Sequence, residues 1–103
     1  MNFNSYQKKA VRTAMYTDKF YPIASLMVES SELADLFVKP MLRGDPKKID
    51  RDEIISEAGD VLWNLANVLA DNGIDFSEVA KYNLSKLQSR KSRGVIMGSG
   101  GNR

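Results

Sequence analysis

The stretch from Asp50 to Gly73, DRDEIISEAGDVLWNLANVLADNG, decides the fold class. Ile54, Ile55, Ala58, Val61, Leu62, Leu65, Val68 and Leu69 recur every three or four residues, the spacing that lines one side of an α-helix. Asp50 is a natural N-cap, and Glu53 three residues on completes the pattern of a capping box. Asn72-Gly73 supplies the stop, since glycine enters the left-handed conformation that ends helices. A helix with so wide an apolar side must bury it against other helices.

Three further helical segments surround it. The first spans about Ser5 to Tyr16, with Asn4 as N-cap and Ala10, Val11, Ala14 and Met15 at helical spacing. The second starts near Pro22, a residue tolerated in a first turn, and runs to about Leu36 or beyond. Pro40 is expected to end or kink it before the loop Arg43-Gly44-Asp45-Pro46. The fourth begins after Asp75 or Phe76, carries Glu78 in its first turn and continues past Arg90 to a break at Gly94. No strand-like alternation and no internal repeat appear. The expectation is an all-α small bundle of about four helices over residues 1–93, followed by a flexible Gly-rich tail over residues 94–103.

With 103 residues the chain buries a thin core, so dimerisation or tetramerisation is expected to complete it. Composition narrows the chemistry sharply. There are no cysteines and no histidines, which excludes disulfides, thiolate zinc sites and every His-based triad. Any metal centre must use oxygen ligands, which suits magnesium, manganese or calcium. Up to Asn83 the chain holds ten Lys and Arg against thirteen Asp and Glu, and the basic surplus follows in Lys86, Arg90, Lys91, Arg93 and Arg103. An acidic body argues against nucleic-acid binding. No apolar run is long enough to span a membrane and the start lacks a signal-peptide core, so the expected location is cytoplasmic.

Two acidic motifs on separate helices carry the chemical information. Glu29-Ser30-Ser31-Glu32 lies on the second helix and Glu57-Ala58-Gly59-Asp60 on the third. In each, two carboxylates three residues apart share a helix face, an arrangement that like charges disfavour unless a cation sits between them. Glu29 falls inside the apolar arc of Leu26, Leu33 and Leu36, and Glu32 lies at its edge. Glu57, Asp60 and Asn64 form a polar stripe flanking Ala58, Val61 and Leu65. Such positions are costly for carboxylates unless paired or metal-bound. Side-by-side packing of the two helices would pool four carboxylates as a hard-oxygen site for a cation that neutralises phosphate charge.

A second constellation, Asn83, Lys86 and Arg90, occupies one face of the fourth helix at i, i+3 and i+7. It reads either as a phosphate clamp or as an ordinary solvated, dipole-complementing helix end. Arg103 in the Gly-rich tail adds one further charge.

The ordered set of motifs resembles the MazG-like nucleotide pyrophosphohydrolases of the all-α NTP pyrophosphatase superfamily, in their short single-domain form. It consists of Glu29-x-x-Glu32, a spacer of 24 residues, Glu57-x-x-Asp60 within Gly59-Asp60-Val61-Leu62-Trp63, and Asn83-Leu84-x-Lys86-Leu87-x-x-Arg90. The resemblance implies Mg2+-dependent cleavage between the α- and β-phosphates of a (d)NTP, with Mn2+ as a substitute ion. By motif position it implies Glu29, Glu32, Glu57 and Asp60 as metal ligands and Asn83, Lys86, Arg90 and Arg103 as substrate contacts. Glu32 or Glu57 would serve as general base. It also implies a homodimer or homotetramer in which a neighbouring subunit finishes each site. Two positions depart from the pattern: Val28 stands where many members have a further Glu, and Ser31 where they often have Gly. Neither removes a ligand. The rival expectations are another nucleotide substrate, such as phosphoribosyl-ATP or an alarmone, and a non-catalytic helical interaction module.

Overall fold

A computed structural model describes residues 1–45, 48–98 and 101. Four helices account for the described secondary structure: α1 (Phe3–Arg12), α2 (Phe20–Leu42), α3 (Arg51–Asp71) and α4 (Phe76–Ser92). Among the described residues no helix is long and apolar enough to cross a membrane.

α3 is the spine, touching α1, α2 and α4, whereas α2 packs on α3 alone. Its ends fall where the sequence places them, although Asp50 caps through the Asp52 N–H and not through that of Glu53, as a capping box would have it. The Asp50 side chain accepts from the Asp52 N–H at 2.9 Å, and Asn72 is the C-cap. Gly73 adopts φ 69°, which lets the Ile74 N–H reach back to the Leu69 carbonyl at 2.9 Å. The same closure recurs at the end of α4, where Gly94 has φ 72° and the Val95 N–H meets the Arg90 carbonyl at 2.8 Å.

Elsewhere the boundaries differ from expectation. α1 starts earlier, because Asn2 rather than Asn4 is its N-cap, in a reciprocal capping box with Ser5. It stops at Arg12, where Thr13 Oγ1 donates to the Ala10 carbonyl at 2.7 Å. Ala14 and Met15 therefore lie in the connection, and Met15 is exposed. Asn4 caps a different helix: its Oδ1 accepts from the Ser77 N–H at 2.9 Å in the first turn of α4. α2 begins at Phe20, whose N–H is taken by the Asp18 side chain, and it runs through Pro40 to Leu42. A proline one turn from a helix end removes one N–H and leaves the final turn intact.

The core gathers where α1, α3 and α4 meet. Ala10, Ala66 and Phe76 are buried there, packed by Tyr6, Leu62, Trp63, Leu65 and Leu69. Phe3 stacks on Phe76 at 4.9 Å between ring centroids. Gln7, only 6% exposed, ties the three helices together. Its Nε2 donates to the carbonyls of Ala66 (3.2 Å) and Ile74 (3.0 Å), and its Oε1 accepts from the Phe76 N–H (3.1 Å).

Candidate metal centre

The α2–α3 seam is where the acidic motifs meet. Asp60 lies three residues past Glu57 on α3, and Glu29 reaches them from α2. One carboxylate oxygen each from Glu29, Glu57 and Asp60 lie within 4.8 Å of one another. Glu29 and Glu57 are half-buried, whereas Asp60 and Glu32 are exposed.

Crowding shows in the ionisation of the inner pair. The Glu29 carboxyl is pushed above its ordinary range, first by burial and then by the charge and hydrogen bonding of Glu32, with Asp60 and Glu57 adding to it. Glu57 is raised as well, by burial and then by the charges of Glu32 and Asp60. Glu32 thus belongs to the same electrostatic cluster. Glu29 Oε2 and Glu57 Oε2 are both buried without a hydrogen-bond donor.

Buried carboxylate oxygens without donors, on two helices and beside further carboxylates, fit a divalent cation held by oxygen. The donor set contains no sulfur or imidazole, so it suits a hard ion.

The polar stripe continues along α3 beyond the carboxylates. Asn64 and Asn67 are buried, and each donates its Nδ2 to the carbonyl one turn back, Asp60 at 2.9 Å and Trp63 at 3.0 Å. Tyr16 closes the far end, donating to Asp71 Oδ2 at 2.7 Å and sharing its hydroxyl with Asn67 Oδ1 at 3.2 Å. Burial and the Asp71 hydrogen bond push the Tyr16 phenol up to about 12. Asn67 and Asp71 extend the helical spacing of Glu57, Asp60 and Asn64, so the stripe was open to being read further along the sequence. Tyr16, reaching from a connection, carried no such signal. Trp63 packs against the core and donates its Nε1–H to Thr13 Oγ1 at 2.8 Å.

The basic constellation is placed differently. Asn83 is exposed, and Lys86 lies over the Tyr82 ring at 5.9 Å from its centroid. Arg90 is buried, with Nη2 donating to the Gly101 carbonyl at 2.8 Å. Among the described residues α4 packs on α1 and α3, with no contact to α2. Arg103 lies outside the described residues.

Fold and site together define a small all-helical protein with an oxygen-only acidic centre shared by two adjacent helices. The MazG nucleotide pyrophosphohydrolase domain matches residues 22–95, and the chain belongs to that family. It is also 38% identical to the Gene 37 protein of Mycobacterium phage L5, over the full length of both chains. No solved structure is matched at a significant level.

Proposed function

We propose that the protein is a Mg2+-dependent nucleoside triphosphate pyrophosphohydrolase, which splits the α–β phosphate bond of a (d)NTP to give the (d)NMP and pyrophosphate. The convergence of Glu29, Glu57 and Asp60 across the α2–α3 seam, inside a MazG-family chain, carries this reading.

Glu29, Glu32, Glu57 and Asp60 hold the cation. When bound, Mg2+ (or Mn2+) neutralises phosphate charge and acidifies the attacking water. Glu32 or Glu57 takes the proton of that water as its oxygen bonds to the α-phosphorus. The bond from that phosphorus to the bridging oxygen breaks, and pyrophosphate leaves with the electron pair. Asn83, Lys86, Arg90 and Arg103 contact the substrate.

Since α2 and α4 do not touch in one protomer, the reading includes a homodimer or homotetramer whose neighbouring copy brings the basic face to the carboxylates. α2 supports this, because it is apolar on two sides and only one lies on α3. Ile23, Met27, Phe37, Val38 and Met41 are all exposed along the other. The expected setting is cytoplasmic, where these nucleotides are plentiful.

The test is a panel of NTPs and dNTPs with magnesium, scored by pyrophosphate release, with phosphoribosyl-ATP and an alarmone included. Turnover of at least one (d)NTP, lost in Glu57→Ala and Asp60→Ala, is expected. Undiminished turnover in both variants would overturn the proposal.

A further inference from the structure

Asn64 and Asn67 make the same local bond and end in opposite states. Each side-chain amide donates to the carbonyl four residues back. A carbonyl can only accept, so Nδ2 must face it and Oδ1 is the atom left over. In Asn67 that oxygen accepts from the Tyr16 hydroxyl. In Asn64, which is only 3% exposed, Oδ1 is buried without a donor.

Its place in the fold gives this meaning. At about 100° per residue, Asn64 falls about 20° from Glu57 and about 40° from Asp60 around α3, so it lies between them on the face turned to α2. It stands one turn beyond Asp60, about 5–6 Å along the helix surface. Glu29 Oε2, Glu57 Oε2 and Asn64 Oδ1 are therefore three buried acceptors with no donor, grouped about one seam. Buried acceptors are retained at such cost where something bound supplies the missing hydrogen or charge. Fully ionised phosphates carry no donor. A hydrated divalent cation does, because magnesium keeps several of its waters when protein carboxylates hold it.

We infer that Asn64 is a positioning residue of the cation site, its Oδ1 accepting a hydrogen bond from a water of hydration of the ion held by Glu29, Glu57 and Asp60. The inference rests on the cation site proposed above and adds an outer contact to it. Outer contacts of this kind orient the inner ligands and set affinity, and their loss typically weakens metal binding about 10–100-fold.

The experiment compares the wild type with Asn64→Leu, Asn64→Asp, Asn67→Leu and Glu57→Gln, using Mg2+ or Mn2+ alone. Cation affinity is read by titration calorimetry and stability by melting in EDTA. Asn64→Leu replaces an orphaned acceptor by an apolar group of similar size. It should melt in EDTA at or above the wild-type temperature and bind the cation about 10–100-fold more weakly. Asn64→Asp keeps an acceptor oxygen and should hold the cation at least as tightly as the wild type. Asn67→Leu, which removes the bonds of Asn67 to the Tyr16 hydroxyl and the Trp63 carbonyl and leaves Tyr16 on Asp71 alone, should lower the melting temperature.

Wild-type cation affinity in Asn64→Leu, or lost affinity in a folded Asn64→Asp, would overturn the inference. So would a fall in melting temperature as large as that of Asn67→Leu, because Asn64 would then be a packing element. If Glu57→Gln alone weakens binding, the cation site stands and Asn64 has no part in it. If the wild type binds no divalent cation, both readings fall together.

Discussion

Glu29 on α2 and Glu57 on α3 meet across one helix–helix seam, and each keeps one carboxylate oxygen buried without a donor. Stability is given up at that point, because each of these buried oxygens is out of water and has no donor to replace it. The first prediction concerns this conflict. Glu57→Gln keeps the shape of the side chain and removes a like charge from the cluster. In EDTA at neutral pH it should melt above the wild type, by about 2–5 °C. Turnover should fall by roughly 100-fold or more, since a neutral amide neither holds the cation as well nor accepts a proton. A variant that is both destabilised and active would contradict this account of the seam.

The second prediction is a pH dependence whose sign follows from the same pair. Both carboxyls are raised above their ordinary value, so the folded chain holds their protons more firmly than the unfolded one. Their contribution to stability is complete below the unfolded value of 4.5 and is lost as pH rises through the raised folded values. Thermal melts in EDTA should therefore show stability from this cluster declining as pH rises above 4.5 and through the raised folded values. Added Mg2+ should raise the melting temperature most at the upper end of that range, because binding must displace the protons. Glu57→Gln should flatten the EDTA profile.

The third prediction tests the far end of the stripe. Tyr16→Phe leaves Asp71 Oδ2 and Asn67 Oδ1 without their donor. A hydrogen bond to a charged acceptor contributes about 1.5–3 kcal/mol, which for a domain of this size is a fall in Tm of roughly 6–15 °C. The loss should appear without cation and leave cation affinity unchanged, since Tyr16 bonds at the opposite end of the stripe from the carboxylates. In the wild type the phenol, raised to about 12, favours folding while protonated. That contribution is present below pH 10 and disappears as pH rises through about 12.

Much of this was legible in the chain because it depends on periodicity and local capping. The apolar repeat of Ile54 to Leu69, with Asp50 before it and Gly73 after it, specifies α3 almost to the residue. The acidic cluster was legible for the same reason, since E-x-x-E and E-x-x-D each fix a helix face and Glu29 interrupts an apolar arc. What could not be read depends on contacts between residues distant in sequence. Asn4 looks like a cap for its own helix and caps α4 instead, across a separation of 73 residues. Gln7 is an ordinary polar residue of a surface helix until Ala66, Ile74 and Phe76 arrive around it. Arg90, grouped by spacing with Asn83 and Lys86, is drawn inward to the Gly101 carbonyl.

A fourth prediction follows from Gln7. Replacing it by Leu strands the Ile74 carbonyl and the Phe76 N–H in the part of the molecule that holds α1, α3 and α4 together, while the Ala66 carbonyl keeps its bond within α3. Each stranded buried group costs about 1–3 kcal/mol, so Gln7→Leu should lose at least about 2 kcal/mol. Against a typical total of roughly 5–15 kcal/mol, this is a large share. Urea denaturation should show a much lower midpoint for Gln7→Leu. A midpoint equal to that of the wild type would show that the helices are held by apolar packing alone.

The last prediction concerns self-association, argued from what one protomer leaves uncovered. Its radius of gyration is 16.3 Å, whereas a compact chain of this length has about 13 Å. The excess accompanies a helix, α2, that leans on α3 alone. Ile23 (48%), Met27 (70%) and Met41 (69%) remain exposed along its outer face. Among the described residues the core cluster consists of Ala10, Ala66 and Phe76, which is small for four helices. Burying the α2 face in a second copy would add apolar contact of the kind that stabilises obligate oligomers. Sedimentation of the wild type should accordingly give a dimer or tetramer, with a melting temperature that rises with protein concentration. Met27→Asp combined with Met41→Asp places charges on that face without touching the carboxylates. The double variant should sediment as a smaller species and melt at lower temperature. It should also lose (d)NTP turnover if the neighbouring copy supplies the basic contacts. A monomeric wild type with full turnover would refute the shared site and leave each protomer to bind substrate alone.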